Sequence, residues 1–413
     1  MKIFFVASDI PFPGFTGASV VNWSIVNYLI NKGHKITIFS DNPRYGISEI
    51  DKEILEKMHK KIKTINCEFV SLNSVKINIR KKNFFQRIIS NKDEDYFPEC
   101  NSSKEIESII FNHFKKIKPD IILCYGYAAI SFVKNINCIK AGWCESKFGV
   151  AFSVIQNELI INQFFFKIIK LIKLYFFQKK MIKEFNKINY RFLHSKDYAS
   201  DQIKAGAISC EHLLPPIYDA REIFLKTNKK IQETETCFKV LIVGLMSNVN
   251  ISQVNVLRKH VFPVIEKNKL TKKIKFHFVG INNDNLPNDF KNKDYVIARG
   301  YVEDIYTELN NSDLLFSVTP KRFGFRVRLA EALSFGTCIL TTKFDQLSLP
   351  FLKDNFNCYI VDDIKNTGNK ILEIFKNQAR NNHIKYNARK AYEENLSYEV
   401  AGKNFEKFIN IVK

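Results

Sequence analysis

Residues 313–342 read DLLFSVTPKRFGFRVRLAEALSFGTCILTT, and this stretch contains a strand, a loop, a helix and a second strand. The apolar run DLLFSV predicts a buried strand. A loop around Gly324 then leads to a predicted helix from about Arg326 to Phe335, and Gly336 separates that helix from the strand TCILTT. Strands joined through a crossover helix lie parallel in one sheet. The stretch therefore predicts part of an α/β domain with a parallel sheet.

The same order of elements recurs on both sides of this stretch. The predicted strands of the C-terminal series are the runs Lys239–Gly244, Lys273–Gly280, Tyr295–Gly300, Asp313–Val318, Thr337–Thr342 and Asn357–Asp363. The N-terminal series has strands at Lys2–Ser8, Lys35–Ser40, Asp120–Cys124 and Tyr190–His194, with a helix at Ala18–Asn31. We therefore predict an α/β protein with two doubly wound Rossmann-like domains whose parallel sheets face a central cleft.

The chain length of 413 residues fits two domains of ordinary size. Consecutive prolines in LLPPI (Leu213–Ile217) and the polar stretch after them predict an interdomain linker. The predicted boundaries are residues 1–215 for the first domain, 216–238 for the linker and 239–395 for the second domain. Residues 396–413 are predicted to form a C-terminal helix that can pack back on the first domain.

Composition narrows the classes of partner and compartment. A net charge of +21 favours polyanions, anionic lipid headgroups or phosphorylated small molecules. No zinc-finger spacing, RNA-binding aromatic signature or compact Arg run is present, so we predict no nucleic-acid partner. The nine Cys form no Cys-x-x-Cys pair, and their odd number argues against a disulfide framework, which fits a reducing cytoplasm. No signal peptide or uncharged run of bilayer length is found, so we expect a soluble or peripheral protein.

Residues Phe164–Phe185, FFFKIIKLIKLYFFQKKMIKEF, have the strongest helical periodicity. Lys167, Lys170 and Lys173 share one face, and large apolar side chains share the other. Such a helix can lie on an anionic membrane surface with its Lys side chains towards the headgroups. It can equally pack as an ordinary amphipathic helix on the first domain's sheet. The sequence leaves both interpretations open.

Two cations and one carboxylate stand out in the helix that begins near Arg326. Arg326 and Arg328 fall in its first turn, where cations oppose the helix dipole. An anion held there by free N–H groups and both guanidinium groups would account for this placement. Glu331 lies further along and can accept hydrogen bonds from a ribose diol. The alternative is an ordinary surface pair between Arg328 and Glu331 at i, i+3 spacing.

Three segments together resemble the donor half of glycosyltransferase family 4, a large retaining group with the GT-B fold. Gly324–Ala332 is similar to the motif Gly-x-x-Arg-x-Lys-x-Leu-Glu-Ala of one subgroup. Val243–Asn248 resembles the family's donor-domain opening loop, and Gly300–Asp304 resembles its Gly-x-Val-x-Asp segment. The resemblance covers roughly residues 1–400 and is specific in the C-terminal half.

The resemblance implies roles for particular residues. Glu331 would bind the ribose hydroxyls, and Arg326, Arg328 and the Gly244 backbone would bind the diphosphate. The remaining predicted donor-binding residues are Met246, Asn248, Gly324 and Phe325, and those of the loop under the donor sugar or acceptor are Gly14, Phe15, Thr16 and Gly17. Arg326, Arg328 and Glu145 are the catalytic candidates, although Glu145 can also be read as a solvated loop residue. No metal or other cofactor is expected.

Three departures from the family pattern are visible. Phe323 occupies the position of the first motif Glu, and Tyr125 aligns with a His that is often found near the reacting sugar. The Arg and Lys that many members carry after the opening glycine loop are absent from Leu245–Gln253. Arg326 and Arg328 are the candidates to replace them.

The function implied by the resemblance is transfer of a hexose or related sugar from a nucleoside-diphosphate sugar to a saccharide or lipid-linked acceptor. Transfer would proceed with retention, in surface polysaccharide or glycan assembly, in the cytoplasm or peripherally at the inner face of the membrane. Two alternatives remain: a nucleotide-sugar epimerase of the same fold, and a non-catalytic GT-B binding subunit.

Overall fold

In a computed structural model the chain is described over residues 1–7, 9–12, 16–40, 56, 60, 67–72, 104–143, 179, 181–226, 237–244, 248–280, 286–302 and 304–412. It divides into two compact units, Met1–Pro215 with Lys403–Lys413, and Pro216–Gly402. Residues 227–236 of the predicted linker lie outside the described residues, and so do residues 164–178 and 180 of the predicted Phe/Lys helix.

The first unit contains a seven-stranded sheet in the order β3-β2-β1-β4-β5-β6-β7, and all its strand pairs are parallel. Its strands are β1 (Lys2–Ala7), β2 (Lys35–Ser40), β3 (Glu68–Ser71), β4 (Ile121–Tyr125), β5 (Lys140–Trp143), β6 (Tyr190–Leu193) and β7 (Glu211–His212). Between these strands lie the helices α1 (Gly17–Asn31), α2 (Lys104–Ile117), α3 (Tyr127–Val133) and α4 (Lys196–Lys204), and residues 181–185 are also helical.

The central strand β1 explains why this sheet is covered on both faces. Five of its six residues are buried, as the continuous apolar run KIFFVA requires. On one face Phe4 packs against Phe39 of β2, with ring centroids 4.9 Å apart. On the other face Phe5 packs against Trp143 of β5 at 5.8 Å. Alternate residues of β1 therefore bury aromatic rings on opposite faces of the sheet.

The second unit contains a six-stranded parallel sheet in the order β10-β9-β8-β11-β12-β13. Its strands are β8 (Phe238–Val243), β9 (Ile274–Val279), β10 (Val296–Gly300), β11 (Leu314–Phe316), β12 (Ile339–Thr342) and β13 (Tyr359–Val361). Its helices are α5 (Ala220–Lys226), α6 (Asn248–Val256), α7 (Phe262–Lys267), α8 (Asn288–Lys291), α9 (Ile305–Asn310), α10 (Val327–Phe335), α11 (Thr367–Lys376) and α12 (Gln378–Asn395). A π-helical turn at Leu257–Val261 joins α6 to α7.

The last helix, α13 (Lys403–Val412), belongs to the first unit. Phe408 packs edge-on against Phe192 of β6 with centroids 5.0 Å apart, and Phe405 contacts the same ring at 5.8 Å. Tyr28 of α1 donates a 3.0 Å hydrogen bond to Glu406. An apolar contact and a polar contact thus fix the end of the chain to the N-terminal sheet and helix.

The predicted fold class, two Rossmann-like α/β domains with parallel sheets, is confirmed. Three described strands were not predicted: β3, β5 and β7. Each has four residues or fewer, and none is a continuous apolar run, because β3 is Glu-Phe-Val-Ser, β5 contains Lys140 and Gly142, and β7 is only Glu211–His212. Short strands without a hydrophobic run give no periodic signal to read.

Candidate nucleotide-binding site

The strand order of the second sheet reverses between β8 and β11. In doubly wound sheets the connections from the two strands at such a point run to opposite faces and leave a crevice at their carboxyl ends. Gly244 follows β8 at this edge, and α10 follows β11. The predicted donor-binding residues of these two connections therefore flank the place where this fold binds ligands.

Gly244 and Gly280 end neighbouring strands, with φ of +135° and +144°. The N–H of Gly244 donates to Val279 O at 2.9 Å. A Cβ on Gly280 would lie 2.2 Å from the carbonyl oxygen of Gly244, closer than any side chain permits. Glycine is thus required at 280 both by the backbone angle and by the approach of the β8 loop. The result is a loop with bare backbone at the carboxyl edge of the sheet.

Helix α10 begins at this edge without a side-chain cap. Arg326 is its N-cap residue in extended conformation, and no side chain accepts a hydrogen bond at the cap. The helix is otherwise buried, with Ala330 and Ala332 at full burial allowing close packing, and it ends at Gly336 in the left-handed region. Its leading N–H groups carry the positive end of the helix dipole, which favours an anion.

Arg326 is buried in a polar pocket below the start of α10. Its Nη1 donates to Thr319 Oγ1 at 3.0 Å and to Ser317 O at 3.4 Å, and lies 3.6 Å from a carboxylate oxygen of Asp345. Asp345 also accepts a hydrogen bond from Thr341. Nη2 of Arg326 is buried and has no hydrogen-bond partner among the described residues. Nη1 of Arg326 therefore has its hydrogen-bond partners within the protein, whereas the N–H groups of Nη2 can still donate to a ligand.

Arg328 connects the helix to the glycine loop. Its Nη1 donates to the carbonyl of Val243, the last residue of β8. Its side chain is only partly buried, unlike that of Arg326. Burial lowers the pKa of Arg328, and the neighbouring charge of Arg326 lowers it further. Two guanidinium groups that repel each other beside an uncapped helix start would both be relieved by an anion.

Glu331 lies one turn further along α10 and is 9% exposed. Its Oε1 accepts a 2.7 Å hydrogen bond from the hydroxyl of Tyr218, which in turn accepts one of 2.7 Å from the hydroxyl of Tyr306. Burial raises the pKa of Glu331 to about 7, although the hydrogen bond from Tyr218 and the charge of Arg328 act in the opposite direction. Because Glu331 is buried, the alternative of an exposed surface pair with Arg328 does not describe this helix.

Some of the remaining predicted site residues are described by the structure, and others are not. Gly324 and Phe325 are buried in the loop before α10, and the carbonyl of Gly324 accepts a 3.1 Å hydrogen bond from Ser348. Thr16 caps α1, because its Oγ1 accepts from the Ser19 N–H at 3.0 Å, and Gly17 is the first residue of that helix. Asn248 begins α6, but its side chain is not described. Gly14, Phe15, Glu145 and Met246 lie outside the described residues.

Tyr125 and Phe323, which depart from the family pattern, both carry aromatic rings that are at least partly buried. Tyr125 ends β4, is 6% exposed, and lies 5.4 Å from Trp143 between ring centroids. Phe323 is partly buried in the loop that precedes α10. Tyr125 therefore contributes to the aromatic core of the first unit.

Several residues of the site were not predicted from the sequence. Tyr218 lies in the predicted linker, and its hydroxyl donates a hydrogen bond to Glu331, 113 positions away in the sequence. Asp345 and Thr319 follow β12 and β11, and they hold Arg326. Their positions in the sequence could have indicated Thr319 and Asp345, because polar residues that follow the carboxyl ends of β11 and β12 lie at the ligand-binding edge of the sheet.

No group of three or more His, Cys, Asp or Glu side chains in the described parts of the chain is arranged to hold a metal ion. Among the helices that the structure describes, none combines the length and the apolar character needed to cross a bilayer.

Residues 237–377, about a third of the chain, match the family model described as "Glycosyl transferases group 1". No curated protein sequence is significantly similar to the chain.

Solved structures are similar over the whole chain. HepE from Anabaena, crystallised with UDP, aligns over 99% of this chain and 100% of its own, with 11% identity and a TM-score of 0.62. A glycosyltransferase from Rickettsia africae aligns over 100% of this chain and 98% of its own, with 15% identity and a TM-score of 0.63. TarM aligns over the same shares with 14% identity and a TM-score of 0.65. At these identities the likeness shows the fold, and the predicted GT-B class is confirmed.

Proposed function

We propose that the protein is a glycosyltransferase that moves a sugar from a nucleoside-diphosphate sugar to a saccharide or lipid-linked acceptor, with retention of configuration. The observation that carries this proposal is the pairing of Arg326 and Arg328 at the uncapped start of α10, beside the bare backbone of Gly244. The group 1 match of residues 237–377 supports the same assignment. Within that group, the proposal extends to the subgroup with the Gly-x-x-Arg-x-Lys-x-Leu-Glu-Ala motif, which Gly324–Ala332 resembles.

The donor would lie along the carboxyl edge of the second sheet. Its diphosphate would meet the α10 N–H groups, Arg328 and the Gly244 backbone, because these supply positive charge and free donors together. Its ribose would reach Glu331, one helical turn further along. The nucleoside is taken as uridine in the first experiments, because the Anabaena HepE structures contain UDP and UDP-glucose.

Chemistry at such a site rests on charge stabilisation and positioning. As the bond from the sugar to the diphosphate breaks, negative charge grows on the leaving diphosphate, and fixed cations stabilise that charge more than they stabilise the bound donor. Arg326 and Arg328 would act in this way without a metal ion. The leaving diphosphate can itself accept the proton of the acceptor hydroxyl. Glu145 remains the predicted acidic residue of the acceptor side.

The proposal is tested by measuring release of nucleoside diphosphate from a panel of UDP-, GDP- and ADP-sugars, with and without mixed saccharide and lipid-linked acceptors. Acceptor-dependent release supports transfer, and the anomeric configuration of the product, read by NMR, tests retention. Interconversion of two nucleotide sugars without release would indicate the epimerase alternative. Donor binding without release across all acceptors would indicate the non-catalytic subunit.

Membrane association at the inner face is a separate part of the proposal, supported by the charge of +21. Flotation with liposomes of phosphatidylcholine alone and with added phosphatidylglycerol tests it. Binding only to the anionic liposomes supports electrostatic association, and binding to neither would remove the membrane from the proposed function.

A further inference from the structure

A chain of two buried hydroxyls ends on the carboxylate of Glu331. Tyr306 of α9 donates to Tyr218, and Tyr218 donates to Glu331 Oε1, with both oxygen–oxygen distances at 2.7 Å. The three side chains come from three separate elements: the segment before α5, the start of α9, and the middle of α10. Such an arrangement fixes the carboxylate from one side, because a carboxylate can only accept while each tyrosine can both accept and donate.

The two oxygens of Glu331 are therefore not equivalent. Oε1 is held by Tyr218. None of the described residues donates a hydrogen bond to Oε2. This oxygen is also not fully buried. Oε2 is thus the oxygen available to a ligand. With Oε1 held, the carboxylate plane cannot rotate freely, so the direction in which Oε2 accepts a hydrogen bond is set before a ligand arrives.

The rings that carry the hydroxyls are themselves fixed by packing. Tyr218 and Tyr306 meet edge to face with centroids 6.3 Å apart, and Tyr306 stacks on Phe335 of α10 at 6.0 Å. Asp304, at the N-cap of α9, accepts from the Tyr306 N–H at 3.1 Å and fixes the start of that helix. The hydrogen bonds to Glu331 therefore rest on a rigid support, as precise recognition requires.

We infer that Tyr218, supported by Tyr306, is a positioning residue that aims Glu331 Oε2 at the ribose diol of the donor and so gives the site its selectivity for ribose over its deoxy analogue. This inference rests on the proposed function, since it assumes that Glu331 meets a nucleotide. Tyr218 itself does not touch the ligand in this arrangement. Its contribution is the orientation of a carboxylate that does.

The test is calorimetric titration of Tyr218→Phe, a variant that keeps the ring and removes only the hydroxyl. The ligands are UDP and 2′,3′-dideoxy-UDP, with the corresponding ADP and GDP pairs titrated alongside. We expect UDP to bind Tyr218→Phe about tenfold more weakly than it binds the unmodified protein, while the dideoxy ligand changes less than twofold. Tyr306→Phe should show the same pattern with a smaller loss, because it acts one hydrogen bond further away.

Tyr295→Phe is the matched control. Its hydroxyl donates a 2.5 Å hydrogen bond to Glu266, so the variant also breaks a tyrosine–glutamate contact in the same domain, but one that joins α7 to the turn before β10. Both ligands should bind this variant as they bind the unmodified protein. A purely structural role for the Tyr218 hydroxyl would instead weaken both ligands by the same factor.

The failures of the inference and of the proposed function are distinguishable. If the unmodified protein prefers UDP to its dideoxy analogue and Tyr218→Phe keeps that preference, the positioning role is overturned and the nucleotide site stands. If none of the three nucleoside diphosphates binds the unmodified protein, the proposed function fails and the inference fails with it.

Discussion

The carbonyl oxygen of Gly244 lies 2.2 Å from the position that a Cβ on Gly280 would occupy. The two glycines that follow adjacent strands thus lie in close backbone contact, and the Val243 carbonyl just before Gly244 accepts a hydrogen bond from Arg328. The loop, the strand end and the start of α10 form one connected unit, so a change at any of them should be measurable both as stability and as ligand binding.

Gly280→Ala should unfold the second domain more easily and weaken nucleotide binding. Its φ of +144° is strained for any residue with a Cβ, and the clash with Gly244 adds to that strain, so we expect a loss of about 3 kcal/mol in the free energy of unfolding. Gly300→Ala is the control, because Gly300 has φ of +65° but no atom within 4 Å of the added Cβ. It should cost about 1 kcal/mol and leave UDP binding unchanged. Equal effects of both variants on binding would mean that the Gly244 loop does not contact the ligand.

Glu331→Gln should stabilise the protein above neutral pH. Burial raises the pKa of Glu331 to about 7, so the folded state holds the proton more tightly than the unfolded state does. The stability from this group is present below the ordinary glutamate pKa and is lost as pH rises to about 7. The variant, which cannot ionise, should be more stable than the unmodified protein by about 2–3 kcal/mol at pH 8, and the gain should vanish near pH 4.5.

Glu266→Gln provides the opposite trend as a control for the pH series. The hydrogen bond from Lys293, followed by that from Tyr295, lowers the pKa of Glu266. Its contribution is present near neutral pH and is lost in acid, so Glu266→Gln should be less stable than the unmodified protein at pH 7, with a difference that shrinks as pH falls. Urea unfolding at intervals between pH 4.5 and 8 measures both series. Parallel stability curves for Glu331→Gln and the unmodified protein would contradict the raised pKa of the buried Glu331.

Asp345→Asn should destabilise the protein and tighten its binding of anions. Asp345 is the carboxylate that lies 3.6 Å from the buried Arg326, and breaking a buried pair costs about 3–5 kcal/mol because one charge stays behind. Inorganic pyrophosphate should compensate that charge, so it should raise the melting temperature of the variant more than that of the unmodified protein.

Asp289→Asn is the matched control for the pyrophosphate experiment. It breaks the pair between Asp289 and Arg258, whose side chains are half exposed, so the cost should be within about 1 kcal/mol. Pyrophosphate should shift this variant and the unmodified protein equally. An equal shift for Asp345→Asn as well would show that Arg326 contributes no charge to an anion site.

Transfer activity should be unaffected by EDTA. The proposed stabilisation of the leaving diphosphate comes from two guanidinium groups and the helix start, which take the place that a divalent cation fills in metal-dependent enzymes. Activity is measured after dialysis against EDTA and again after addition of Mg²⁺ or Mn²⁺. A loss on chelation that either ion restores would contradict metal-free chemistry.

The sequence was sufficient for the elements that decide the fold. The apolar runs KIFFVA of β1 and IKFHFV of β9 form largely buried strands, because a strand covered on both faces must be mostly apolar. The strands that escaped prediction, β3, β5 and β7, have four residues or fewer and are too short to carry a pattern.

The site was predictable only where its residues are neighbours in sequence. Arg326, Arg328 and Glu331 fall on one helix, so their spacing alone brings them together. Tyr218 and Asp345 reach the same helix through tertiary packing, and no local pattern marks a residue that is to meet a partner 113 positions away. The partner of each buried charge had to be read from the structure.

The most direct test of a diphosphate site at the start of α10 is calorimetric titration of Arg328→Met with UDP and with uridine. Methionine keeps most of the side-chain volume and removes the charge and its donors. Loss of charge-assisted hydrogen bonds should weaken UDP binding at least about tenfold, while uridine binding stays unchanged. Arg258→Met, which removes an exposed arginine of the same domain, should bind both ligands normally. UDP binding by Arg328→Met at the unmodified affinity, or equal losses for UDP and uridine, would contradict the diphosphate site.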